Sequence, residues 1–209
     1  MKNTLFFFVA SIAVAFISCG SKPETTDTPI AKVVKNQFGL AVSEHLLTFV
    51  PAGFSVFDTI PGDLNLDQYP DMVLILKNDL EEVDSLAMDN PYERPLLLLT
   101  GQTDGTYKLA AKNNKTVMCK MCGGSFGDPY TGVTIKNGRF SVEHYGGSSW
   151  RWAKVISYLY NTEQGKWFLV RIGNDSFHSA EPDKVETTIK TDKEFGSVLF
   201  ENFDWEKEY

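Results

Sequence analysis

Hydrophobic and polar positions alternate along most of this chain with the short period of extended strands. Residues 54–59 alternate in this way. Residues 72–77 (MVLILK) and 96–100 (LLLLT) are instead continuous apolar runs bounded by turn residues, the pattern of strands buried on both faces. A loop at 101–105 (GQTDG) leads into 106–111. Strands follow at 133–136, 139–145, 150–160, 167–172 and 185–190. Asn137-Gly138 joins two of these and suits a two-residue type I′ turn. Helical pattern is sparse. Glu44 to Leu47 reads as a short helix before Pro51. Thr191 or Asp192 is placed to cap a second helix, expected to run through Phe200. The expected fold is therefore mainly β: one antiparallel sheet or sandwich-like domain with one or two short helices.

The N-terminus breaks this pattern. A basic start at Lys2 is followed by thirteen apolar or small residues, 5–17 (LFFFVASIAVAFI), and then by Ser18-Cys19-Gly20. A charged start, a short apolar run and small residues at the end form a secretory signal; the run is short for a membrane span. Phe16-Ile17-Ser18-Cys19 resembles a bacterial lipobox, with Phe16 where Leu is usual. The resemblance implies cleavage before Cys19 and fatty acylation (palmitate-type) of that residue. More than one acyl chain gives stable bilayer anchoring. Gly20 after the cysteine points to the outer membrane. Residues 20–29 (GSKPETTDTP) are polar and read as a tether. The expected organisation is a signal peptide over 1–18, a lipidated tether over 19–30 and a β domain over 31–209.

Composition narrows the partners. Hydrophobic residues make up 43% of 209, enough for one ordinary core. The formal charge is −7, and removal of residues 1–18, whose one charge is Lys2, makes it −8. An acidic body gains nothing from counterion release on nucleic acid, so no nucleic-acid partner is expected.

The densest chemical signal is 62–71 (GDLNLDQYPD). Oxygen side chains fall at Asp63, Asn65, Asp67 and Asp71, and the Tyr69 carbonyl adds a further oxygen. A hard cation such as Ca²⁺ takes six to eight such ligands. The stretch resembles one FG-GAP or VCBS-type repeat, in which the matching positions hold calcium. That implies a structural Ca²⁺ bound by Asp63, Asn65, Asp67, Tyr69 and Asp71. The family has Gly where this chain has Gln68, so a strained turn is expected there. Without a metal, the loop reads as an acidic Asx turn.

Cys119-Lys120-Met121-Cys122 admits zinc, redox and disulfide readings. Zinc lacks a second ligand pair, and a redox pair lacks its strand–helix context. An oxidising compartment favours a Cys119–Cys122 disulfide. The stretch 140–152 (FSVEHYGGSSWRW) holds Glu143, His144 and Ser148 without a nucleophile elbow. Trp150 and Trp152 share one strand face and read either as core or as an aromatic platform. His178 reads as a loop residue.

Together, the 62–71 loop and the later His144–Trp152 segment resemble a group of bacterial lipoproteins without an assigned activity. The resulting expectation is a lipid-anchored cell-envelope protein of non-enzymatic binding or structural type, with an envelope protein or glycan as ligand. The alternative is an envelope hydrolase using Glu143 and His144, or the loop metal.

Overall fold

The structure is a computed structural model, and it describes residues 34–83 and 90–209. The signal segment, Cys19 and the tether over 19–30 lie outside the described residues.

The body consists of two antiparallel meanders. The first sheet contains β1 (Phe54–Gly62), β2 (Asp71–Asn78), β3 (Arg94–Gly101) and β4 (Tyr107–Val117), in that order. The second contains β5 (Tyr130–Lys136), β6 (Arg139–Gly147), β7 (Trp150–Asn161), β8 (Lys166–His178) and β9 (Glu186–Thr191), also in chain order. Every named strand pairing is antiparallel.

The continuous apolar runs follow from burial on two faces. Val73 and Ile75 of β2, with Leu96 and Leu98 of β3, pack against Phe140, Val142, Ile156 and Tyr158 of the second sheet. The intervening Leu74, Leu76, Leu97 and Leu99 pack against Val42 and Leu46 of the N-terminal segment, which holds α1 (Glu44–Leu47). A fully buried side chain of this size contributes about 1.5–3 kcal/mol relative to exposure. The second sheet has one covered face, and β6 accordingly alternates, with Phe140, Val142 and His144 turned inward.

Asn137 and Gly138 both adopt positive φ, 52° and 70°, as the type I′ hairpin requires. Thr191 caps α2 (Asp192–Phe195) in a reciprocal capping box with Glu194. This helix is shorter than expected. Gly196 leaves the helical region at φ 71°, and a 3₁₀ turn forms only at Phe200–Asn202. That turn drives Phe200 and Phe203 into the core, where Phe200 meets Phe140 and Tyr158 edge-on. His178 closes β8 opposite Trp150 and is not a loop residue.

Candidate functional site

The acidic loop connects β1 to β2. Asp71 is the first residue of β2 and is fully buried. Its two carboxylate oxygens accept the Leu64 N–H at 2.8 Å and the Gly101 N–H at 2.9 Å. Burial raises its pKa above the usual carboxylate value; these N–H groups act the other way, and the negative fields of Asp67 and Asp63 add to the rise.

The exposed part of the loop closes on itself. Asp63 accepts the Leu66 N–H at 2.7 Å, Asn65 the Asp67 N–H at 3.1 Å and Asp67 the Tyr69 N–H at 2.7 Å. The Asn65 amide donates to the other Asp67 oxygen at 2.7 Å. These are Asx-type turns. Among the described residues, no three His, Cys, Asp or Glu side chains stand together as a metal-holding group. The left-handed residue is Leu66, at φ 64°, and not Gln68. Its side chain rests where a Cβ on Gly138 would stand, 2.9 Å from Leu66 Cγ. Leu64 fills the core, and its carbonyl accepts the Trp167 indole N–H at 2.8 Å. The loop thus plugs one end of the space between the sheets.

Glu143 and His144 are adjacent in β6, so they project to opposite faces. Glu143 faces outward and accepts the Thr134 hydroxyl at 2.9 Å. His144 is buried, and its Nε2 accepts the Met118 N–H at 3.2 Å. Among the described residues its Nδ1 has no hydrogen-bond partner. Burial, and secondarily the charges of Lys154 and Arg94, push its pKa down to about 3, so the ring is neutral. The two residues do not form a catalytic pair.

The Sγ atoms of Cys119 and Cys122 stand 2.13 Å apart, with a Cα separation of 5.2 Å. The glycine loop that follows lies across the β6–β7 turn. The Gly147 N–H donates to the Gly123 carbonyl at 2.9 Å, and the Ser125 N–H donates to the Gly147 carbonyl at 3.0 Å. A Cβ on Gly146 would lie 2.5 Å from the Trp152 ring and 2.8 Å from the Gly123 carbonyl. These contacts explain the paired glycines of the His144–Trp152 segment. They leave a flat seat for one indole and one loop.

Trp152 does not enter the closed core, and Trp150 is 60% exposed. Strands β7 and β8 are twelve and thirteen residues long, against eight for β2 and β3. The far end of the second sheet carries a groove of about 290 Å³, lined by Met118, Cys122, Trp152, Lys154, Asn174 and Trp205. A larger hollow of about 380 Å³ lies between the β7–β8 turn and α2, with Tyr160, Asn161, Gln164 and Asp192 among its lining and no cationic side chain. The smaller groove is distinguished by combining a cation with aromatic rings: two indoles, an amide and an ammonium line it. Sequence reasoning offered Trp152 as core or aromatic platform and missed Lys154, Asn174 and Trp205 beside it. The available signal was Lys154 within the stripe Trp150, Trp152, Lys154, Ile156 and Tyr158 on one strand face.

The chain matches no protein-family model, no curated protein and no solved structure.

Proposed function

We propose that this chain is exported, acylated at Cys19 and held at the cell envelope, on the outer membrane, and that its β body is a non-enzymatic binding module. The groove beside Trp152 and Trp205 carries the binding reading. Trp152, Lys154 and Asn174 stand half-buried outside the core, with Trp205 packed at its edge, and among the described residues Glu143 and His144 form no acid–base pair beside them. The apolar run over 5–17, Ser18-Cys19 and the polar stretch 20–29 support the anchoring reading.

Anchoring is tested in membrane fractions of expressing cells. Wild-type protein should take up labelled fatty acid and sediment with membranes, whereas Cys19→Ala should do neither. Unlabelled wild-type protein found wholly in the soluble fraction would refute lipidation. Binding is tested on immobilised envelope glycans with detergent-solubilised full-length protein. Retention by some of them that is lost in Trp205→Ala supports the groove; equal retention of both proteins removes it. Hydrolysis of a glycan or ester substrate, abolished by His144→Ala, would replace the binding reading with the hydrolase.

Two local readings accompany this one. Cys119 and Cys122 form a disulfide in the exported protein, giving a mass two hydrogens below the dithiol. The acidic loop binds Ca²⁺ weakly, as a structural ion. Its support is an all-oxygen donor set on one turn and the mutual repulsion of three carboxylates, which a cation would offset. The loop's hydrogen bonds already satisfy part of that set, so affinity should be in the millimolar range. Bound calcium at a hundredfold excess over Kd adds about 2.7 kcal/mol. Melting temperature should rise with Ca²⁺ and stop responding in Asp67→Ala. A melting curve unmoved by saturating Ca²⁺ identifies a plain Asx turn.

A further inference from the structure

The inner face of the second sheet changes character along its strands. Residues paired directly across antiparallel strands project to the same face. At the core end, Val142, Ile156 and Ile172 form an apolar row. One step further, the row is His144, Lys154, Asn174 and Thr188. The next is Gly146, Trp152, Ser176 and Glu186. A polar floor therefore continues the core beyond its apolar limit. Trp205, from the segment after the 3₁₀ turn, and Met118 and Cys122, beside the glycine loop, complete the groove.

Lys154 is the anomaly in this floor. It is half-buried, and among the described residues no carboxylate stands within ion-pair distance of it. Burial lowers its pKa, and the nearby Lys190 lowers it further. Lys190 has a partner, because its ammonium donates to the Tyr209 main-chain oxygen. Glu208 lies with Lys190 and Lys207 along an adjoining hollow of about 120 Å³ that Lys154 also borders. In a chain of net charge −7, a half-buried cation without a counter-ion is costly. An arriving anion offsets that cost.

The rest of the groove narrows the kind of anion. The Trp152 ring packs closely on Gly146, and Trp205 lines the groove with it, so two indoles border the site. Asn174, paired with Lys154 across β7 and β8, adds an amide that can both donate to and accept from a ring hydroxyl or carboxylate. The volume is at the lower end for small-molecule sites, which fits one ring and not a chain of them.

We propose that the groove binds a single acidic sugar residue of the uronic-acid type, its carboxylate on the Lys154 ammonium and the Asn174 amide, its ring against Trp152 and Trp205. This rests on the binding reading of the β body and specifies its ligand class.

The test uses full-length protein in detergent, with tryptophan fluorescence and calorimetry as readouts. The probes are a glucuronate-containing disaccharide, its neutral glucose counterpart, and acetate. Wild-type protein should bind the acidic disaccharide at least tenfold more tightly than the neutral one, and acetate should not displace it at equal concentration. Lys154→Met keeps the apolar stem and removes the charge, so it should abolish that preference while melting no lower than wild type. Equal binding of both disaccharides, or a preference retained in Lys154→Met, overturns the acidic-sugar assignment and leaves a binding module standing. Full displacement by acetate reduces the site to a simple anion site and overturns the sugar. No response to either disaccharide overturns the proposal; the binding reading falls with it only if the immobilised glycans also retain nothing.

Discussion

His144 shows how one position acquires its chemistry from its surroundings. It sits inward on β6 between Val142 and Gly146, with Nε2 accepting the Met118 N–H and the proton left on Nδ1. An unfolded histidine takes up a proton near pH 6.5, whereas the folded one resists until about 3. Its contribution to stability is therefore intact above about pH 6.5 and is lost as pH falls toward about 3. Between pH 7 and pH 4.5 this single group should cost roughly 2–3 kcal/mol. Urea unfolding at the two pH values reads this directly. His144→Phe should start lower at pH 7, because the Met118 N–H loses its acceptor, and should then decline less. Parallel declines in both proteins would refute the assignment. Asp71 illustrates the same dependence on neighbours. Asp71→Asn retains one acceptor where two N–H groups need one each, so it should cost about 1–3 kcal/mol at pH 7. A change below a few tenths of a kcal/mol in chemical denaturation would contradict that accounting of the loop.

Between elements, the strongest polar tie is one that local pattern gave no reason to expect. Arg94 opens β3 and is 1% exposed. Its guanidinium donates to both oxygens of Glu81, at 3.1 and 2.9 Å, and to both of Asp128, at 2.8 and 2.7 Å. It also lies 4.1 Å over the Phe57 ring. One side chain thus ties the segment after β2 and the segment before β5 to the first sheet. Arg94→Met would strand the buried Glu81 carboxylate and should cost about 3–5 kcal/mol, read by denaturant unfolding. Adding Glu81→Met should recover part of the loss; no recovery would mean the pair is not the cause. The β6–β7 turn is equally constrained. Gly147 has φ 113°, and a Cβ there would lie 2.0 Å from the Trp150 carbonyl oxygen. Gly147→Ala should lower the melting temperature and blunt the Trp152 fluorescence response to ligand together. A normal response from a normally folded variant would separate the turn from the groove.

For the β body as a whole, the two meanders are chain-local, and the C-terminal segment adds long-range closure. Asn113 of β4 donates to the Phe200 and Phe203 carbonyls at 2.6 and 2.8 Å. Phe200 lies among Phe140, Tyr158 and the rest of the shared core with no exposure. Phe200→Ala should therefore cost about 3–5 kcal/mol and affect both sheets in one transition. Loss confined to one sheet, seen as two unfolding steps, would show that the sheets are independent units.

What the chain's own pattern determined was local. The continuous runs MVLIL and LLLL required strands covered on two faces; Asn137-Gly138 required its hairpin; Thr191 or Asp192 marked the start of a capped helix. Each depends on residues a few positions apart, where backbone geometry and side-chain period suffice. The helix expected through Phe200 failed because Gly196 left the helical region and packing drew Phe200 into the core. The acidic loop was visible as a loop, but the fate of its carboxylates depended on which N–H groups stood nearby. Asp71 turned to Leu64 and Gly101, the latter thirty positions away. Glu81, Arg94 and Asp128 came together across spacings with no period at all. The groove is the clearest case. Alternation placed Trp150 and Trp152 on one strand face, but only the greater length of β7 and β8, beside the shorter strands β2 and β3, carried Trp152 and Lys154 past the edge of the closed core.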